Sequence, residues 1–263
     1  MPPYQNWLLT TQAHVATLTL NRPDTLNDLS LETLCELRDA SAYLSTRQDV
    51  WVVILQGQGK HFCTGLDAGV FERGIERPEH INREFLSRQP GCVDAFEALE
   101  KPTIAKLRGF CIGGGLILAL CCDLRVASQR TVFSLPEIKL GLPVLWGGAQ
   151  RLSRVVGVAT TKEMILLGRR FRAEAAQAHG LVHQVVPPDE LDRAVATLAD
   201  KFQSLPPRSV GIAKRLINRG HDLPLRASQD LEIDALLELK DSPDLREAIE
   251  SYAEKRRPQF IGE

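Results

Sequence analysis

The order of apolar and polar positions divides the chain into a part where strands alternate with helices and a part that is helical throughout. From Trp7 to Leu20 the chain alternates around a turn near Gln12 and His14. Val15, Thr17 and Thr19 fall on one side and Ala16, Leu18 and Leu20 on the other, which predicts a hairpin. After the break at Asn21-Arg22-Pro23-Asp24, Ser30 fits an N-cap, and Leu31, Leu34, Leu37 and Ala40 share one helical face. Residues 50–55 form a continuous apolar run closed by Gly57-Gln58-Gly59, the pattern of a buried strand. A second cycle follows: a polar helical stretch to Glu100, a strand over 103–107, a glycine-rich segment over 109–115 and an apolar helix over 116–122. A short strand pair, 124–127 and 131–133, precedes the third cycle.

This rhythm predicts an α/β fold with covered sheets and an approximate ββα repeat. Beyond about Pro187 only helical periodicity remains, over 189–203, 208–219, 225–240 and 244–256, with breaks at Pro206-Pro207, Pro224 and Pro243. The expected division is an α/β core over 1–187 and a helical C-terminal region over 188–263. No linker rich in Gly or Ser separates them.

Composition narrows the function classes. The 263 residues are 44% hydrophobic and 25% charged, with a formal net charge of -1, so nothing electrostatic points to nucleic acid or to an anionic membrane. Six cysteines show no paired metal-ligand spacing, which predicts reduced core thiols and no metal site. The amino terminus lacks the basic and apolar stretches of a secretory signal. No run approaches the roughly 20 apolar residues of a membrane span. A cytoplasmic protein is expected.

Three segments are candidates for chemistry. Phe62-Cys63-Thr64-Gly65-Leu66-Asp67 follows a strand, and Gly109-Phe110-Cys111-Ile112-Gly113-Gly114-Gly115 leads from a strand into a helix. A helix start leaves N–H groups without intrahelical partners, and glycine lets a ligand approach the backbone, so either segment could stabilise an anion. Each is also compatible with a tight turn and close packing. The third segment sets Glu137 among apolar residues, between Pro136 and Ile138 and ahead of Gly141-Leu142-Pro143. Partial burial there would favour the neutral acid and strengthen the carboxylate as a base, although a surface Glu at a helix start fits the same pattern.

Considered together and in this order, the segments resemble the crotonase family, also called the enoyl-CoA hydratase/isomerase family. The resemblance covers nearly the whole chain. It rests on Leu20-Asn21-Arg22-Pro23 with Leu26-Asn27, on 62–67 and 109–115, on Cys122-Asp123-Leu124-Arg125-Val126-Ala127, and on Pro136-Glu137 with Gly141-Leu142-Pro143. Gly147-Gly148-Ala149-Gln150-Arg151-Leu152, residues 173–182 and the tail 254–260 extend it.

The resemblance implies a crotonase-like spiral of ββα repeats with a helical C-terminal region, acting on an acyl-CoA substrate. Coenzyme A belongs to that substrate, and no separate cofactor is implied. The backbone N–H groups of Leu66 and Gly114 would point at the thioester oxygen and stabilise the enolate formed there. Losing one such donor typically costs about 3 to 4 kcal/mol of transition-state stabilisation. Leu26, Thr64, Asp67 and Ala68 would meet coenzyme A, with Tyr252 and Lys255 reaching its nucleotide end. A trimer or hexamer is implied, the C-terminal helix serving a neighbouring subunit. Asp24 departs from the pattern, since many members carry a lysine near the CoA phosphates at that position.

Hydratases of the family use two glutamates on one water. Glu137 matches the second, and Ile117 replaces the first. A single carboxylate suits isomerisation of a 3-enoyl-CoA to a 2-enoyl-CoA, with an apolar Ile117 excluding water, and this reading is preferred. The alternatives are a hydratase with an altered water site and a CoA-thioester hydrolase or decarboxylase drawing on Glu72, Glu76, Glu79, Glu84, His61 or His80. A non-catalytic CoA-binding scaffold, or one for RNA or protein, is the reading from another class; the retained Glu137 and the near-neutral charge count against it. Trp146, where many relatives are small, is expected to narrow the acyl pocket.

Overall fold

A computed structural model describes residues 4–67, 69 and 82–263. Strands β1 (Trp7–Gln12) and β2 (Val15–Leu20) form the expected hairpin through a two-residue turn in which Ala13 takes φ 49. Helix α1 (Leu31–Thr46) begins where Ser30 accepts the Thr33 N–H at 3.2 Å, and it buries Leu34, Leu37, Ala40 and Leu44. Strand β3 (Val52–Gly57) starts two residues later than the apolar run suggests, because Val50 and Trp51 are still turning in from α1.

The chain then crosses through α2 (Arg83–Arg88) and α3 (Pro90–Glu97) into β4 (Thr103–Leu107), β5 (Phe110–Ile112) and α4 (Gly114–Leu120). Next come β6 (Leu124–Ser128), β7 (Val132–Ser134), a single 3-10 turn over Glu137–Leu140 and α5 (Gly148–Leu166), followed by β8 (Arg170–Arg172), α6 (Ala173–Ala178) and β9 (Gln184–Val186). Four helices close the chain: α7 (Leu191–Gln203), α8 (Pro207–Gly220), α9 (Leu225–Leu239) and α10 (Pro243–Glu254).

Two sheets result. One has six strands in the order β1-β2-β3-β4-β6-β9, parallel except for the hairpin, and the other has three in the order β5-β7-β8. Repeated strand pairs followed by a helix match the expected α/β spiral. The short strands β6 and β7 correct one expectation, for they do not pair with each other. Each enters a different sheet, β6 beside β4 and β7 beside β5.

One face of the larger sheet packs Leu18, Leu55, Ala105 and Leu107 into the main core with α1, α3 and α4. The other face, through Trp51, Val52, Ile104 and Val126, is covered by Leu191, Val195 and Ala199 of α7. Parallel strands buried on both sides explain why they read as unbroken apolar runs. Burying a side chain such as Leu55 or Ile104 contributes about 1.5–3 kcal/mol. Polar ties fix the remaining helices. Buried Arg125 donates to the Cys122 carbonyl at 2.6 Å and the Leu181 carbonyl at 2.7 Å, satisfying the end of α4. Lys214 of α8 pairs with Asp123 at 2.9 Å, locking the helical region onto the sheet. No disulfide joins any of the six cysteines, and five of them are buried while Cys35 is exposed. Among the described residues, no helix is long and apolar enough to cross a membrane.

Candidate active site

The site is assembled where three strand exits converge. Asn27, fully buried at φ 59, accepts the Arg22 N–H at 2.9 Å and donates to the carbonyls of Gln58 at 2.9 Å and His61 at 2.8 Å. This clip holds the end of β2 against the exit of β3 and delivers Leu29 to the next segment.

The segment 62–67 is then stitched on both sides. Cys63 donates to the Phe110 carbonyl at 3.0 Å and accepts from Ile112 N–H at 3.0 Å, which adds it to β5. On the other side Leu29 donates to the Gly65 carbonyl at 2.8 Å, and Asp67 donates to the Leu29 carbonyl at 3.0 Å. These bonds flank Leu66 and leave its own N–H without a partner among the described residues.

Helix α4 supplies the second free donor. Its start lies two residues ahead of the apolar periodicity, at Gly114, because Gly113 caps it in a conformation (φ 55, ψ -128) that other residues avoid. The Gly113 carbonyl accepts from Leu116 at 2.9 Å and Ile117 at 3.1 Å, while the Gly114 N–H has no acceptor among the described residues. A β-carbon on Gly65 would stand 3.2 Å from the Gly114 nitrogen, so the two free N–H groups belong to segments in direct contact. Backbone donors at a helix start, fixed by bonds on either side, are suited to hold an oxygen that gains negative charge.

The carboxylate arrives by the neighbouring strand. β5 and β7 run parallel with Ile112 beside Ser134, and Gly113 N–H donates to the Ser134 carbonyl at 2.9 Å. Chain leaving β7 therefore runs alongside 113–114 and reaches Glu137 within three residues. Glu137 Oε1 would stand 3.0 Å from a β-carbon at Gly113, and Oε2 is buried with no hydrogen-bond partner among the described residues. Burial pushes its pKa above the ordinary carboxylate value, with its own backbone N–H as the weaker opposing influence.

These groups line an apolar cavity of about 190 Å³ with Thr64, Leu86, Gln89, Leu142, Leu145 and Trp146. Ile117, one turn along α4 from Gly114, is 2% exposed and forms part of the wall, packed against Gly148 at the start of α5. Trp146 also lines the cavity, in a left-handed conformation at φ 53, with its ring against Gly114.

The structure thus brings Leu66, Gly114, Glu137 and Thr64 to one cavity. Leu26, exposed, sits at its edge, where the Thr64 hydroxyl donates to the Leu26 carbonyl at 3.3 Å. Asp67 is 3.8 Å from Arg22, which is itself bonded to Asp28, and it accepts from Gly69 N–H at 2.6 Å. Tyr252, 87% exposed, and Lys255, the C-cap of α10, are not among the cavity-lining residues of their own chain. Ala68, Glu72, Glu76, Glu79 and His80 lie outside the described residues. His61 accepts from Phe110 N–H at 3.1 Å and stacks on the Phe110 ring, and Glu84 is exposed on α2; neither lines the cavity. Leu86 and Gln89 are lining residues that sequence reading missed, the latter because a polar residue before Pro90 reads only as a helix boundary.

Comparison with known proteins agrees with this architecture. The chain belongs to the crotonase, or enoyl-CoA hydratase/isomerase, family, whose model matches residues 10–263. Family membership makes it an enzyme of CoA-thioester chemistry. It is 35% identical over 253 residues to a short-chain-enoyl-CoA hydratase of Clostridium acetobutylicum, with 96% of each chain covered. It is also 35% identical over 261 residues to the peroxisomal Δ(3,5)-Δ(2,4)-dienoyl-CoA isomerase of Arabidopsis thaliana, covering 95% of this chain and 94% of the relative. The crystal structure of an enoyl-CoA hydratase from Bacillus anthracis superposes with a TM-score of 0.88 at 33% identity, covering 98% of this chain and all of the other.

Proposed function

We propose that the enzyme shifts the double bond of a 3-enoyl-CoA into conjugation with the thioester, giving a 2-enoyl-CoA, with Glu137 as the single acid/base. The thioester oxygen lies between the N–H groups of Leu66 and Gly114. The Glu137 carboxylate removes a proton from the carbon alpha to the carbonyl, and the C–H electron pair moves onto the thioester oxygen as an enolate held by those donors. As the carbonyl re-forms, electrons shift through the dienolate and the gamma carbon takes the same proton back from Glu137. No atom is gained or lost, so no water is required.

The observation that carries this reading is Ile117. It places a buried alkyl group on the cavity wall where a second, water-holding carboxylate would be needed, and Glu137 is the sole carboxylate among the described lining residues. The raised pKa of Glu137 supports proton return as well as removal, since a pKa nearer neutrality serves both directions. The two relatives' names divide between hydration and isomerisation, so they do not decide the matter.

Coenzyme A, in this reading, runs past Leu26, Thr64, Asp67 and Ala68, and Tyr252 and Lys255 reach the nucleotide from a neighbouring subunit of a trimer or hexamer. Residues 1–187 then carry the chemistry, and 188–263 carry assembly and CoA contact. The test is turnover of 3-enoyl-CoA and 2-enoyl-CoA substrates of several chain lengths, following double-bond position and hydration together. Conversion of 3-enoyl to 2-enoyl thioesters is expected. Faster formation of 3-hydroxyacyl-CoA would establish a hydratase instead, and CoA binding with no turnover across the panel would favour a scaffold.

A further inference from the structure

Among the described residues, the cavity wall holds a buried polar side chain that the proposed isomerisation does not use. Gln89, the N-cap residue of α3, is 3% exposed and lines the cavity beside Leu86 and Trp146. Its Oε1 accepts the Trp146 indole N–H at 3.0 Å. An indole nitrogen only donates, so this bond fixes which end of the amide is which. Oxygen faces Trp146, and the Nε2 amino group is left with no protein acceptor among the described residues. Nor is it sealed in like the unpartnered Oε2 of Glu137, so its remaining access is the small one that this buried residue retains.

The amide is held at its oxygen, and the Trp146 backbone is tied to the same helix: its carbonyl accepts from Arg151, whose guanidinium is paired with Asp94 at 2.7 Å and with Glu97, both on the helix that Gln89 caps. Strong hydrogen bonding to the two carboxylates outweighs burial and keeps that guanidinium firmly charged. Gln89 Nε2 therefore presents a pair of oriented N–H donors, without a protein acceptor among the described residues, on a largely apolar wall.

We propose that Gln89 Nε2 is a specificity determinant that hydrogen-bonds an oxygen acceptor on the acyl group, so that the enzyme selects short acyl-CoA substrates carrying a hydroxyl, carbonyl or carboxylate oxygen beyond the reacting carbons. Size and polarity lead to the same class. A cavity of about 190 Å³ is small beside the about 300–1,000 Å³ of ordinary ligand pockets, which favours a compact acyl group. An unpaired buried amide that meets only hydrocarbon costs binding energy, whereas one that meets an acceptor recovers it, and sites of this kind reject the analogue lacking the acceptor. The donor is already oriented, so little ordering entropy is lost when it binds. This inference rests on the CoA-thioester site proposed above.

The test compares affinities by calorimetry for pentanoyl-CoA, 4-hydroxybutyryl-CoA and succinyl-CoA, which offer a methyl, a hydroxyl and a carboxylate at the far end of similar chains. At least one oxygenated thioester is expected to bind about tenfold tighter than pentanoyl-CoA, and the two oxygenated arms identify which acceptor is selected. Gln89→Met combined with Trp146→Phe removes donor and partner together, keeps similar volume and leaves no orphaned indole N–H. In that variant the affinity ratio should collapse towards one. Trp146→Phe alone frees the amide to rotate and should give an intermediate ratio. Equal affinities in the native enzyme, or an undiminished ratio in the double variant, would overturn the inference while leaving the CoA site intact. Failure of all three thioesters and of free CoA to bind the native enzyme would overturn the underlying reading as well.

Discussion

Glu137 lies against Gly113 so closely that a β-carbon on the glycine would stand 3.0 Å from the carboxylate Oε1. The contact follows from the pairing of β5 with β7, and it couples the acid to the helix start that presents Gly114 N–H. Gly113→Ala should therefore strike twice. The left-handed conformation at φ 55 costs a side-chain-bearing residue about 1–3 kcal/mol, and the new methyl pushes Glu137 out of line. Chemical denaturation should register the first effect. A drop in kcat of tenfold or more, with coenzyme A affinity changed far less, should register the second.

Glu137→Gln separates function from stability. Loss of the acid/base group should lower turnover by about 10²–10⁴. Stability should move the other way near neutral pH. Burial raises the Glu137 pKa in the folded protein above its unfolded value of 4.5, so the folded state binds more protons between those two values and loses stability as pH rises through them. Glutamine cannot ionise and escapes that loss. The variant should melt higher than the native enzyme at pH 7, and the difference should vanish below about pH 4.5, where both side chains are neutral. Equal melting temperatures at pH 7 would contradict the burial of this carboxylate. The same shift places the acid limb of the native kcat/KM profile above the ordinary carboxylate range.

How much of this was legible in the sequence depended on whether a signal was periodic. The hairpin, α1 with its Ser30 cap and the four closing helices were readable because their apolar spacing is regular over a dozen or more residues. β5 was not, since three residues flanked by glycines carry no period. α5 also gave no continuous stripe, because Gly157 breaks its helical geometry at φ 77 and ψ 163 and resets the face it presents. Leu66, Gly114 and Glu137 were found through ordered motifs, but their closeness depends on strand pairings between segments distant in sequence. Gln89 left no trace in the pattern at all. Its meaning arises from a tryptophan 57 residues away.

Ile117→Glu is the substitution that asks whether one missing carboxylate decides the reaction. Placed on the cavity wall one turn from Gly114, a glutamate could hold a water together with Glu137, and hydration of 2-enoyl-CoA to 3-hydroxyacyl-CoA should rise at the expense of isomerisation. The added acid enters a site 2% exposed and packed against Gly148, so a loss of a few kcal/mol in stability is expected. Mass spectrometry of the products reports the partition. A variant that folds and shows no gain in hydration would remove Ile117 as the deciding residue.

The closing helices leave a large apolar surface uncovered in the single chain: Ile217, Leu225, Leu236, Leu237 and Ile249 are each more than half exposed. Isolated subunits rarely present so many large aliphatic side chains, and assembly would cover them. Light scattering should give the mass of a trimer or hexamer for the native protein, and Leu236→Glu should shift it towards the monomer. A native monomer at micromolar concentration would contradict this expectation, and would also deprive Tyr252 and Lys255 of their proposed role across a subunit boundary.

Trp146 and Gly114 are the pair through which pocket shape reaches the oxyanion donors. A β-carbon at position 114 would stand 2.6 Å from the indole ring and 3.2 Å from Leu29, so Gly114→Ala must displace either the ring or the helix start. The ring is tied through its N–H to Gln89, which leaves the helix start to move and carries the Gly114 N–H away from the thioester oxygen. Turnover should fall by about 10²–10³, the scale of losing one such donor. Trp146→Leu removes the six-membered ring from the collision, and combined with Gly114→Ala it should recover part of that loss. The recovery measures a coupling on the order of 1–3 kcal/mol between the two positions. Strictly additive losses in the double variant would show that the ring does not set the position of the donor.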